Sequence, residues 1–148
     1  DNGHLEEAYQ LLLEETSPSW LYQVKKGATT MWEQWDVIQE NGIIKEASMN
    51  HYAYGAVGDF FYRRICGLEP IEAGYRKFLV KPMPGGGLTY AQCCHTCIYG
   101  TIRVAWEIED GRMKLIVDVP VGTSCMVELP HGKREELQSG TYELYEEL

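Results

Sequence analysis

No stretch of this chain approaches the roughly 20 consecutive apolar residues that a membrane-spanning helix needs. Its first residues, Asp1, Asn2, Gly3 and His4, have neither the basic start nor the apolar run of a secretory signal. No membrane association is therefore expected. Positive charge is also scarce: 13 Lys and Arg stand against 22 Asp and Glu, a net charge of -9 at pH 7. That balance argues against nucleic acid and anionic surfaces as partners and favours an uncharged ligand. Cysteine lacks a disulfide-scaffold pattern: Cys66, Cys93, Cys94, Cys97 and Cys125 are odd in number and show no such spacing. A reducing, cytoplasmic location is the expectation, with periplasm or secretion open for a longer protein. Pro84-Gly85-Gly86-Gly87 lacks the Lys-Ser/Thr and the following helix of a phosphate loop, so it reads as a connection between strands. Cys93-Cys94-His95-Thr96-Cys97 sits among alternating residues with no second ligand pair, which favours small packing residues over a zinc or redox motif. No cofactor or metal is expected.

What is present is an ordinary globular composition, 45% hydrophobic and 24% charged over 148 residues. That is room for one domain, or for a small domain plus a piece of another. Leu5, Ala8, Tyr9 and Leu12 recur at helical spacing, so residues 4 to 14 read as an amphipathic helix whose apolar face has no obvious local partner. Residues 15 to 46 read as irregular. Residues 48 to 66 read as the main helix, capped by Ser48 or Asn50, with an apolar stripe through Met49, Ala53, Ala56, Val57, Phe60 and Phe61, and stopped by Gly67.

Beyond Gly67 the pattern alternates. Strands are expected at 75 to 81, 89 to 97, 124 to 129 and 141 to 145. Between them, Ile102, Val104, Trp106 and Ile108 alternate into Asp110-Gly111, and Met113, Leu115, Val117 and Val119 alternate back, which specifies a β-hairpin with a type I′ turn. Five or six antiparallel strands predict a β-sandwich.

The chemistry concentrates in Gly27-Ala28-Thr29-Thr30-Met31-Trp32-Glu33-Gln34-Trp35-Asp36. Flat indole faces suit the C–H side of a sugar ring, and Glu33 and Asp36 can accept hydroxyl hydrogen bonds or take a proton from water. The same residues also fit an irregular segment whose tryptophans anchor a core and whose acids face solvent. His51, at the start of the expected main helix, suits either a neutral donor and acceptor facing a pocket or a capping role.

Together the residues resemble a known family. The motif at 27 to 36, Ser-Met-Asn-His-Tyr-Ala-Tyr-Gly-Ala-Val-Gly-Asp-Phe at 48 to 60, Gly-Tyr-Arg-Lys-Phe at 74 to 78 and Lys-Pro-Met-Pro-Gly-Gly-Gly-Leu-Thr at 81 to 89 are similar, in order, to the C-terminal part of bacterial α-L-rhamnosidases of glycoside hydrolase family 78. They cover most of residues 20 to 106. The resemblance implies an α+β fragment: residues 1 to 71 supply the last helices and active-site loop of a six-hairpin α-toroid, and residues 72 to 148 form a C-terminal β-sandwich. Twelve helices of roughly 11 to 12 residues each would not fit this length beside a sandwich.

The resemblance further implies inverting hydrolysis of terminal α-linked L-rhamnose from a glycan or glycoside. Glu33 would be the general base, Trp32 or Trp35 the pocket wall, and His51 a hydrogen-bonding group to sugar hydroxyls, with Asp36 beside them. The general acid would lie upstream, in the remainder of the catalytic domain, leaving this chain inactive alone. Gln34 departs from the family pattern, where many relatives carry a basic residue. A non-catalytic alternative is an accessory β-sandwich that binds carbohydrate or buttresses the catalytic domain.

Overall fold

A computed structural model describes residues 3 to 148. The chain divides into two compact units, one reaching to Gly58 and one comprising Asp59–Leu148.

The first unit holds two helices and a long loop. Helix α1 (Leu5–Leu13) buries Tyr9 and Leu12, the face anticipated from the spacing. Helix α2 (Trp20–Lys25) lies within the stretch expected to be irregular. Its cause is local: the Ser19 side chain accepts from the Tyr22 amide at 2.9 Å and donates to the Glu14 carbonyl at the end of α1. One buried hydroxyl therefore serves the end of one helix and the start of the next.

The expected main helix starts later and is less regular than its periodicity suggested. Residues Ala53–Ala56 form a 3₁₀ turn, Val57–Phe60 one α-helical turn (α3), and Phe61–Ile65 a π turn. The Gly55 amide bonds to the Tyr52 carbonyl at 2.9 Å, and the Cys66 amide reaches back five residues to the Phe61 carbonyl at 2.9 Å. Glycine at 55 and 58 weakens the α-helical preference of this run. Ser48 does not cap it; its hydroxyl turns onto Asn50. Of the anticipated apolar stripe only Val57 is buried, while Met49 and Phe61 are exposed.

The second unit contains two four-stranded sheets. One has the order β1 (Leu68–Pro70), β2 (Lys77–Val80), β6 (Ser124–Glu128), β7 (Arg134–Leu137); the other has β3 (Tyr90–Cys97), β4 (Gly100–Glu109), β5 (Arg112–Val119), β8 (Gly140–Glu147). The anticipated hairpin is β4–β5, and its turn residues Asp110 and Gly111 have φ of 50° and 76°, the positive pair that a type I′ turn requires.

Two corrections concern number and sense. Strands β1 and β7 add to those expected, and β2 pairs with β6 in parallel, Phe78 opposite Cys125. Strand β1 spans three residues and ends in proline, and β7 reads Arg-Glu-Glu-Leu, so neither shows alternation; both are edges, and β7 carries charge as edge strands do.

The core lies between the sheets. Phe78, Val80, Cys125 and Val127 on one side and Ile102, Val104, Met113, Leu115 and Val117 on the other are fully buried. Burial pushes the Cys125 thiol up to about 12, so it packs as a small apolar group. Cys93 to Cys97 lie in β3, where Cys94 and Cys97 alternate to opposite faces.

The Trp106 indole donates to the Ile65 carbonyl at 2.7 Å, closing the last helical turn onto β4. Gly67 follows at φ 82°, and a Cβ there would meet the Lys81 and Pro82 backbone at 2.2 Å. Only glycine fits both the dihedral and the gap. The Lys81 amide bonds to the Gly67 carbonyl at 2.9 Å across this close approach.

Candidate active-site loop

Residues 32 to 36 lack regular secondary structure, yet each is tied down by a different group. Trp32 is 2% exposed and anchors the loop in the core of the first unit, so its indole offers no face to solvent. The Glu33 amide donates to the Ser48 carbonyl at 2.9 Å. The Gln34 carbonyl accepts from the side-chain amide of buried Gln23 at 3.2 Å. Trp35 stacks on Tyr54 with centroids 3.8 Å apart and planes at 15°, and meets Trp20 edge-on at 4.8 Å. The Trp20 indole donates to the Tyr54 carbonyl at 3.0 Å, so the three rings are fixed as a group.

Asp36 receives the Lys45 ammonium on both carboxylate oxygens at 2.7 Å. The turn between them explains the pairing. Ile38 bridges Ile44, and the Lys45 amide donates to the Val37 carbonyl at 2.8 Å, which sets Lys45 across from Asp36. Tyr22 holds the same turn by donating to the Ile38 carbonyl at 2.7 Å. Burial raises the Tyr22 hydroxyl above its ordinary range, with Glu40 adding to the effect, which keeps it a proton donor.

Glu33 itself is exposed. Its Oε2 accepts from the Ser48 amide at 2.9 Å, the reciprocal of the backbone bond just described. Among the described residues its Oε1 has no partner. A carboxylate with one oxygen fixed and the other open to solvent is oriented without being neutralised.

The segments 30 to 33 and 48 to 51 are zipped further by the His51 amide donating to the Met31 carbonyl at 2.8 Å and by the Thr30 hydroxyl donating to the Met49 carbonyl. This zipper brings Glu33 and His51 onto adjoining backbones. His51 precedes the helical turn instead of lying within it, and its Nδ1 accepts from the Ala53 amide at 3.3 Å. That bond assigns the ring proton to Nε2, leaving His51 a donor toward any ligand.

The structure thus brings Glu33, Trp35 and His51 to one loop system, places Trp32 beneath it, and pairs Asp36 with Lys45. Sequence reasoning missed Gln23 and Lys45, and it read Ser48 as a helix cap and Tyr54 only as part of the 48 to 60 motif, not as contacts of the loop. The one local signal for any of them was Ser19 ahead of Trp20, which announces α2 and hence Gln23.

Comparison with known proteins supplies the context. A family model described as the bacterial alpha-L-rhamnosidase 6 hairpin glycosidase domain matches residues 1–65. Another, the bacterial alpha-L-rhamnosidase C-terminal domain, matches residues 67–143. An alpha-L-rhamnosidase of Streptomyces avermitilis is 41% identical over 147 residues, which is 96% of this chain and 14% of that protein. One from Formosa agariphila is 39% identical over 141 residues, covering 93% of this chain and 15% of that protein. The crystal structure of Streptomyces avermitilis alpha-L-rhamnosidase complexed with L-rhamnose superposes with a TM-score of 0.93 at 35% identity, over 98% of this chain and 16% of that one. This chain therefore spans only about a seventh of the relatives' length. With one family model ending at residue 65 and the next beginning at 67, where the helical residues give way to the sandwich, the chain belongs to the bacterial α-L-rhamnosidase family.

Proposed function

We propose that this chain supplies the general base, Glu33, of an inverting glycoside hydrolase that releases terminal α-linked L-rhamnose. The observation that carries the reading is the Glu33 carboxylate, held at Oε2 by the Ser48 amide and open at Oε1. Inversion needs two carboxyl groups roughly 6.5 to 9.5 Å apart, one protonating the leaving oxygen and one activating a water on the opposite face. Glu33 Oε1 takes the water proton, and the Ser48 amide keeps the carboxylate from rotating away.

His51 Nε2–H donates to a sugar hydroxyl. The Trp35–Tyr54 stack presents an apolar surface to the ring and to the 6-deoxy methyl that distinguishes rhamnose. Each Asp36 oxygen keeps a lone pair beyond its bond to Lys45 and can accept a further hydroxyl. The general acid belongs to the remainder of the catalytic domain, so the chain alone is inactive.

In the full-length protein, Glu33→Gln should lower the turnover number on an aryl α-L-rhamnoside by about 10²-fold to 10⁴-fold with the fold unchanged. Normal turnover would remove Glu33 from the chemistry. The anomer released first, read by NMR, tests inversion directly.

A further inference from the structure

On the second unit, we infer that the outer face of the sheet β3–β4–β5–β8 carries a separate binding site for a neutral sugar unit of the glycan. The inference rests on the carbohydrate substrate proposed above, but on none of the residues of the Glu33 loop. Strand register builds the site. Gln92 pairs with Ala105, and Ala105 with Ile116, giving a row across three strands with a short side chain at its centre. The next row toward one end is Tyr90, Glu107 and Lys114, and Arg103 stands on the other side. Long side chains flanking a short one enclose a groove of about 270 Å³ on this face. That is a little under the roughly 300 Å³ at which pockets for drug-sized ligands begin, and it suits one sugar ring.

Its chemistry is that of a saccharide platform. Tyr90 is 73% exposed, an aromatic ring at the margin of the groove. Ala105 and Ile116 give an apolar floor for C–H groups. Among the described residues the Gln92 amide, the Arg103 guanidinium and the Tyr90 hydroxyl make no hydrogen bond within the chain. Lys114, by contrast, is engaged by Glu143 at 3.4 Å. Three uncommitted hydrogen-bonding groups around an apolar floor match a polyhydroxylated ring. Asp118 stands directly across from Arg103 and Glu107 across from Lys114, so the groove favours neither an anion nor a cation.

The test uses the full-length protein carrying Glu33→Gln, so that ligand persists, titrated calorimetrically with a rhamnotriose. The expected result is two equivalents bound, falling to one when Tyr90→Ala and Arg103→Ala are added. Ala105→Glu, which fills the groove from the floor, should have the same effect. On the Glu33 background, Tyr90→Ala with Arg103→Ala should leave turnover on a small aryl rhamnoside unchanged. One equivalent before the sheet substitutions, or two equivalents after both kinds, overturns the site. Two equivalents that fall to one, combined with undiminished turnover of Glu33→Gln, would remove the catalytic assignment and leave the sheet site standing.

Discussion

The loop unit and the sandwich unit are held together by different means. In the sandwich each strand is paired along its length and the inner faces bury a continuous set of aliphatic and aromatic side chains. In the loop unit the segment 32 to 36 is held by scattered contacts, from the side chains of Gln23, Tyr54 and Lys45 and from the backbone of Ser48. Stability is distributed in the first arrangement and local in the second. A deletion in the sandwich should therefore cost stability and spare loop geometry, whereas a deletion around the loop should cost geometry and little global stability.

Phe78→Ala is the strongest way to break that contrast. Phe78 is fully buried on the central strand pair, and its truncation should cost about 3–5 kcal/mol, read from the denaturant midpoint of the sandwich transition. A loss under about 1 kcal/mol would mean the core is not shared in this way. Gln23→Ala should behave oppositely. It removes the donor to the Gln34 carbonyl, worth about 0.5–1.5 kcal/mol locally, and turnover of the full-length protein should fall roughly tenfold with little change in the sandwich transition.

Asp36→Asn weakens the pair with Lys45. Both side chains are about one third exposed, so the expected stability loss is about 1 kcal/mol or less, measured by thermal melting at low and high salt.

The smallest effect is a pH dependence. The Arg63 guanidinium, hydrogen-bonded at 2.6 Å, and then Arg64 hold the Glu69 carboxyl below its usual range. A depressed folded-state value means that the contribution is complete above the unfolded carboxylate value of about 4.3 and is lost as pH falls through the folded one. Glu69→Gln should thus lower the melting temperature at pH 7 and leave it nearly unchanged at the acid end of the profile. Parallel profiles for the two proteins would show that the pair does not contribute.

Legibility from the sequence follows the same division. The β4–β5 hairpin and α1 were readable because a period of two with Asp-Gly, and a spacing of three and four, are local signals. Strand β7 was hidden because an exposed edge needs only Leu137 buried. The parallel pairing of β2 with β6 was hidden because nothing in Lys77–Val80 names its distant partner. Within the site, Glu33 and Trp35 stood out by composition. Lys45 and Tyr54 did not, since their roles arise from a turn and a ring stack that bring separate segments together. The apolar stripe of residues 49 to 61 misled for a related reason: periodicity records a face to be covered, and here the segment is partly 3₁₀ and π and mostly exposed.

The β2–β6 seam also orders events in time. Lys77–Val80 meets Ser124–Glu128 only across the whole of β3, β4 and β5, so this ladder closes a long loop, while β4–β5 closes across two residues. Loop-closure entropy must be met before a distant pairing returns any energy. The hairpins of one sheet therefore assemble ahead of the centre of the other, and that other sheet completes on a template already half built. During synthesis β1 and β2 emerge early and wait for β6, with their pairing edge open until most of the sandwich has been made.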